Sequence, residues 1–210
     1  RSVSVSVVVL AAALSLASAA FGEVRPGVQT VTEGSGQCTA NFVFSDGSST
    51  YLGQAAHCAS TGEATDTDGC LAASLPLGTK VEIEDASNPG SFPVVGTLAY
   101  SSWLTMQSGG ESDADTCAYN DFALVRVDAK DVRKVNPSVP FWGGPTGIDG
   151  NGTRLGDRVY SYGNSSLRAG ITALSPKTGI SLGDDAADGG WSHPLYTVTP
   201  GVPGDSGSAF

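Results

Sequence analysis

An all-β protein is what this sequence predicts, and three observations carry that reading. Strand-like segments recur at short, even intervals between turn clusters rich in Gly, Pro and Asp. No long stretch keeps a helical period. The composition is rich in Gly, 28 of 210 residues, with many Val, Thr, Ser and Tyr, which leans toward a pleated sheet. At this length the chain has room for one sizeable domain or two small ones. Its formal net charge of −10 argues against nucleic acid or an anionic membrane as partner, because both need clustered Lys and Arg.

Taken in order, the chain opens on a targeting segment. Val3 to Ala20 is apolar or small throughout, with a compact core from Val7 to Leu16, and Ala17-Ser18-Ala19 is the small-x-small pattern that signal peptidase accepts. Residues 1–19 are therefore expected to be a cleaved signal peptide, so that the mature protein has no membrane partner. A membrane anchor is the competing reading, since the run is just long enough to span. Its serine content and small-residue end favour export. Arg1 stands in place of an initiating methionine and the sequence stops four residues after Ser206. Both ends of a longer reading frame are thus expected to be missing.

Cys38 to Phe44 reads as a strand, Ser45-Asp46-Gly47-Ser48 as a turn, and Thr50 to Ala56 as the returning arm of a hairpin. Ser60 to Gly69 is loop. Lys80 to Glu84 and Val94 to Ser101 are strands separated by the turn Asn88-Pro89-Gly90. Glu111, Asp113 and Asp115 read as a solvated loop in preference to a cation site. Phe122 to Val127 is a short apolar run of the buried-strand kind. Asp128 to Gly147 carries charges, then three prolines and a Gly-Gly pair, and reads as a connector. Beyond it, Arg158 to Tyr162, Ala169 to Leu174 and Leu195 to Thr199 are the strand candidates of a second unit. Asn151-Gly152-Thr153 and Asn164-Ser165-Ser166 match glycosylation acceptors, meaningful only in a eukaryotic secretory route.

The four cysteines, Cys38, Cys58, Cys70 and Cys117, suit an exported protein with two disulfides. Of the three pairings, Cys38–Cys58 with Cys70–Cys117 is favoured, because the first bond would tie together two neighbouring strand candidates. Zinc is the weaker alternative, since no C-x-x-C pair is present.

Chemistry concentrates in three places. Gly204-Asp205-Ser206-Gly207-Ser208 sets a serine among glycines, which let the backbone turn tightly and bring N–H groups near a bound oxyanion. The pentapeptide alone also fits an ordinary surface turn. His57 follows a strand and precedes Cys58, so a disulfide would fix the backbone beside the imidazole, as a general base requires. His193, in Trp191-Ser192-His193-Pro194, reads as a loop residue. Asp121 directly precedes Phe122-Ala123-Leu124-Val125, where a carboxylate at the mouth of a buried strand needs a partner that His57 could supply. The bland alternative for Asp121 is a cap or turn residue.

Jointly, Ala55-Ala56-His57-Cys58, Asn120-Asp121-Phe122-Ala123-Leu124 and Gly204-Asp205-Ser206-Gly207-Ser208 give the order His, Asp, Ser. An α/β-hydrolase elbow would need Gly where Ser208 stands and its serine ahead of the other two groups. Gly-Asp-Ser-Leu esterases carry an early serine followed by leucine, whereas Gly207 follows Ser206. With these motifs the chain resembles the chymotrypsin/trypsin-like serine proteases, in particular their small secreted bacterial members, from about Val24 to Phe210. The resemblance implies two antiparallel β-barrels, the first over residues 24–135 carrying His57 and Asp121, the second over 136–210, incomplete, carrying Ser206. It implies a secreted, monomeric endopeptidase acting on protein or peptide substrates, with no cofactor and no metal. Ser206 would be the nucleophile, His57 the base, Asp121 its orienting acid, and the N–H groups of Gly204 and Ser206 the oxyanion hole. Pro200 stands six residues before Ser206, where trypsin itself carries the aspartate that selects Lys and Arg. No match to Ile-Val-Gly-Gly is present for a new N-terminus to pair with Asp205. The competing functional reading is a non-catalytic binding module on the same scaffold. A structural wall protein rests on composition alone.

Overall fold

Alternation of side chains drives the first half of the chain into antiparallel sheet. The computed structural model describes residues 24–62, 67–148 and 150–210, so the expected signal peptide lies outside the described residues. Seven strands form one sheet: β1 (Gln29–Thr32), β2 (Gln37–Thr39), β3 (Val43–Ser45), β4 (Thr50–Gln54), β5 (Lys80–Ile83), β6 (Val94–Ser101) and β7 (Ala123–Val127). Their order is β2-β1-β5-β6-β7-β4-β3. Leu52, Val81, Ile83, Val94, Val125 and Val127 meet in one buried cluster. It draws on β4 and β5, which are not neighbours in the order, so the sheet curls around its own core.

Three further strands, β8 (Arg158–Tyr162), β9 (Pro176–Ser181) and β10 (Leu195–Thr197), form a second antiparallel sheet in the order β10-β9-β8. The all-β class expected from the sequence is what the structure has. Among the described residues neither sheet has its two edge strands paired with each other, so ladder pairing closes no barrel. Among the described residues two short helices accompany the sheets, α1 (Ser102–Gly109) and α2 (Ala114–Tyr119). Among the described residues no helix is long and apolar enough to cross a membrane.

The hairpin through Ser45-Asp46-Gly47-Ser48 forms as expected, with Ser45 opposite Thr50. Asp46 Oδ1 accepts from the backbone N–H groups of Ser48 and Ser49, the local bonding that makes aspartate a turn residue. The single strand expected over Cys38 to Phe44 is two strands, because the pairing partner changes along it: Gln37–Thr39 pairs with β1 and Val43–Ser45 with β4. Two further expectations are corrected. Ala169 to Leu174 is not a strand but runs through a left-handed Ala169 (φ 49°) into a 3-10 turn at Thr172–Leu174, and the strand begins two residues later at Pro176. The acidic stretch Glu111 to Asp115 is not all loop: Asp113 caps α2 by accepting from Thr116 N–H at 2.9 Å.

Both disulfides have the favoured pairing, Cys38–Cys58 and Cys70–Cys117. All four thiols are thereby bonded, which removes the thiolates a zinc site would need.

Candidate active site

His57 owes its position to its small neighbours. It lies in a single 3-10 turn, Ala56–Ala59, directly after β4. Ala56, Cys58 and Ala59 are buried, and the two alanines pack with Leu98, Trp103, Met106 and Ala123. Only the imidazole of this turn faces outward, with its side chain 32% exposed. Cys58 bonds Cys38 of β2 at an S–S distance of 2.04 Å, which fixes the turn from the other side.

Asp121 reaches this turn from the entrance to β7. Its Oδ2 lies 2.6 Å from His57 Nδ1, and its Oδ1 accepts the backbone N–H of His57 at 2.9 Å. One carboxylate therefore fixes both the ring and the main chain of the histidine. With Nδ1–H donating to Asp121, Nε2 is left as the acceptor, the tautomer a general base requires. The hydrogen bond to Asp121 raises the His57 pKa above its ordinary value, against a lowering by burial.

Sequence reading missed the residue that holds Asp121 in place. Ser102, buried at the start of α1, donates its N–H to Phe122 O and its hydroxyl to Asn120 O, and accepts the N–H of Phe122. It thus brackets Asp121 on both sides. Nothing in Ser101-Ser102-Trp103 signals this, because the contact joins positions 18 to 20 residues apart.

Ser206 sits in a loop after β10 whose backbone is clamped to β2. Thr39 N–H donates to Ser206 O at 2.8 Å, and Thr39 Oγ1 and Gln37 Nε2 both donate to Gly204 O. Gly204 and Gly207 both have left-handed backbone, with φ of 94° and 81°. A Cβ on Gly207 would lie 2.8 Å from both Ala55 N and Thr39 O, and one on Gly204 would collide with Gln37 Oε1. Glycine is required at both positions by φ and by the close approach together.

Adjacent residues of β2 consequently hold the two halves of the site: Cys38 is bonded beside His57, and Thr39 is bonded to Ser206. The two side chains line one cleft of about 640 Å³ together with Gln37, the Cys38–Cys58 disulfide and Gly204. Among the described residues no hydrogen bond joins Ser206 Oγ to His57, and the N–H groups of Gly204 and Ser206 donate to no protein acceptor.

Asp205, between these two, turns inward. It is 8% exposed and meets Arg168 Nη2 at 2.5 Å and Lys177 Nζ at 2.7 Å, while accepting from the N–H groups of Ser165 and Val202. Burial pushes its carboxyl up, but Arg168, Lys177 and the Val202 N–H outweigh that and hold it below the ordinary carboxylate value. His193 also has an acid partner, Asp184 Oδ1 at 2.9 Å from Nδ1, but it does not line the cleft of Ser206. Asn164 spends its side-chain amide on buried Glu84, at 2.7 Å.

No family model matches the chain, and no curated protein matches it. Among solved structures it is similar to Thermobifida fusca Protease A, with a TM-score of 0.47 and 18% sequence identity, over 88% of this chain and 75% of that one.

Proposed function

We propose that the protein is a secreted serine endopeptidase that cleaves peptide bonds through an acyl-enzyme. One observation carries the reading: Asp121 holds both N–H groups of His57, and that imidazole shares a cleft with a serine whose backbone is tied to the same strand. In this scheme Nε2 of His57 takes the proton of Ser206 as its Oγ attacks the scissile carbonyl carbon. Asp121 stabilises the imidazolium, and the unpaired N–H groups of Gly204 and Ser206 receive the oxyanion. Collapse of the tetrahedral intermediate breaks the C–N bond, and His57 delivers its proton to the leaving amine. Water, deprotonated by the same imidazole, then attacks the ester, releasing the acid and restoring Ser206.

The finer fold reading, a trypsin-like pair of barrels, goes with this proposal; the curl of the seven-stranded sheet about one core supports it. Export agrees with two disulfides, which persist in oxidising compartments. A non-catalytic binding module is the second reading, favoured by the missing Ser206–His57 hydrogen bond. Such bonds are often long before substrate arrives, so their absence does not exclude catalysis. Hydrolysis of casein separates the two. Wild-type protein is expected to cleave it and Ser206→Ala to retain no more than about a thousandth of that rate; equal rates would contradict the proposal.

A further inference from the structure

An oxyanion received at Gly204 needs an N–H group held in one direction. A peptide unit is planar and trans, so its C=O and its N–H point to opposite sides. The direction of the Gly204 N–H is therefore set by whatever holds the carbonyl of Pro203. That carbonyl has a partner 38 residues away: the hydroxyl of Ser165 donates to Pro203 O.

Ser165 is 1% exposed, and its own position is fixed from two sides. It caps the 3-10 turn Ser166–Arg168, where its Oγ accepts the N–H of Leu167 at 3.1 Å. Its backbone N–H donates to Asp205 Oδ1, also at 3.1 Å. A serine hydroxyl has one proton to give, and with a lone pair bound at Leu167 that proton goes to Pro203.

The other bonds to this loop do not control the same peptide unit. Gln37 Nε2 and Thr39 Oγ1 hold Gly204 O, which belongs to the next one. The Pro203–Gly204 unit can turn over by opposite rotations of ψ at 203 and φ at 204, leaving its neighbours in place. Gly204 has φ of 94°, and glycine takes either sign of φ at little cost. Turned over, the unit would present a carbonyl oxygen where the N–H stood and would repel an oxyanion. Glycine raises no steric barrier to that turn, so the hydrogen bond from Ser165 settles the orientation.

We infer that Ser165 is a positioning residue for oxyanion stabilisation, fixing the Pro203–Gly204 peptide so that the Gly204 N–H faces the reacting carbonyl. The inference rests on the peptidase reading and deepens it at the same site. Among the described residues Ser165 makes no hydrogen bond to His57 or Asp121, so its part is separate from proton transfer. Its loss should weaken binding of the transition state more than binding of the substrate.

The test compares Ser165→Ala with wild type, as full chains, on a casein-derived peptide that wild type cleaves. The aldehyde of the acyl-side half of that peptide serves as inhibitor. Ser206 Oγ bonds the aldehyde carbon, the π pair passes to oxygen and the serine proton to His57, so the adduct mimics the tetrahedral intermediate. Ser165→Ala should lower kcat by about 10- to 100-fold with KM within about threefold, and weaken the aldehyde by the same factor as kcat/KM. The acidic limb of the pH profile should stay where it is. A folded Ser165→Ala with wild-type kcat and aldehyde affinity overturns the inference and leaves the peptidase reading standing, as does a loss confined to KM. If Ser165→Ala fails to fold, a crystal structure of wild type with the aldehyde takes its place. Pro203 O on Ser165 and the Gly204 N–H on the adduct oxygen are expected, and a Pro203 carbonyl turned away from Ser165 contradicts the inference. A wild-type protein that cleaves no peptide and forms no adduct overturns both readings.

Discussion

His57 is oriented twice by one carboxylate, and the consequences are visible in how it should titrate. The hydrogen bond from its ring to Asp121 raises its pKa in spite of burial. Catalysis needs the neutral imidazole, so the rate should fall as pH drops through a value above the ordinary 6.5. The sign for stability is the opposite: a raised folded pKa stabilises the fold below the unfolded value and loses that contribution as pH rises through the folded one. An acidic limb in kcat/KM with its midpoint above 6.5 is expected, and one at or below 6.5 would mean that burial outweighs the hydrogen bond to Asp121. Asp121→Asn should lower kcat by about 10⁴ with the fold intact, because an amide cannot hold the same tautomer with the same charge. A loss under tenfold would assign the role to another group. His57 and Asp121 were legible in sequence because each flanks a strand signal and stands next to a distinctive neighbour, Cys58 or Phe122. Ser102 was not, since its part depends wholly on a contact made by folding.

At the scale of elements, β2 does more than its three residues suggest. It bonds the His57 turn through Cys38 and the Ser206 loop through Thr39, and Gly207 lets that loop lie directly on it. Gly207→Ala should strain the loop twice, by its φ and by contact with main chain that cannot yield. The expected loss is about 1–3 kcal/mol, lowering Tm by several degrees, with activity reduced beyond the loss of folded protein. A variant with unchanged Tm and activity would show that the loop is free to sit elsewhere. β6 and β8 have the bounds read from sequence: β8 alternates buried and exposed residues throughout, and β6 does so from Val94 to Leu98 before an irregularity at Ala99. β9 was missed for a physical reason. It opens on a proline, carries Gly179 inside, and points Lys177 to its buried side, where only Asp205 makes a lysine tolerable. No periodicity rule foresees a charge buried by a partner 28 residues away. β1 was unread because threonines, Thr30 and Thr32, face the interior in place of aliphatic residues.

Across the whole molecule, polar groups hold the two sheets together around the site. Asn164, two residues past β8, donates its backbone N–H to Thr39 and its amide to Glu84, while Asp205 gathers Arg168 and Lys177 beneath Ser206. Asp205→Asn would leave two buried cations without their anion, at a cost of about 3–5 kcal/mol, or roughly 10 °C in Tm. Because the Asp205 carboxyl is held below its ordinary value, its stabilisation is fully present above about pH 3.9 and is lost as pH falls through the lowered folded value. Tm measured from pH 7 down to pH 2 should therefore show a loss near the acid end in wild type that is absent in Asp205→Asn. Identical pH profiles would mean that the ion cluster contributes nothing to the fold.

Joining His57, Asp121 and Ser206 into one reactive unit is the claim on which the rest stands, and site-mapped acylation addresses it most directly. Protein treated with a fluorophosphonate is digested and the modified peptide identified by mass spectrometry, in wild type and in His57→Ala. The account predicts stoichiometric modification of Ser206 alone, slowed by at least about a thousandfold in His57→Ala. Modification elsewhere, or at Ser206 at an unchanged rate without His57, would contradict it.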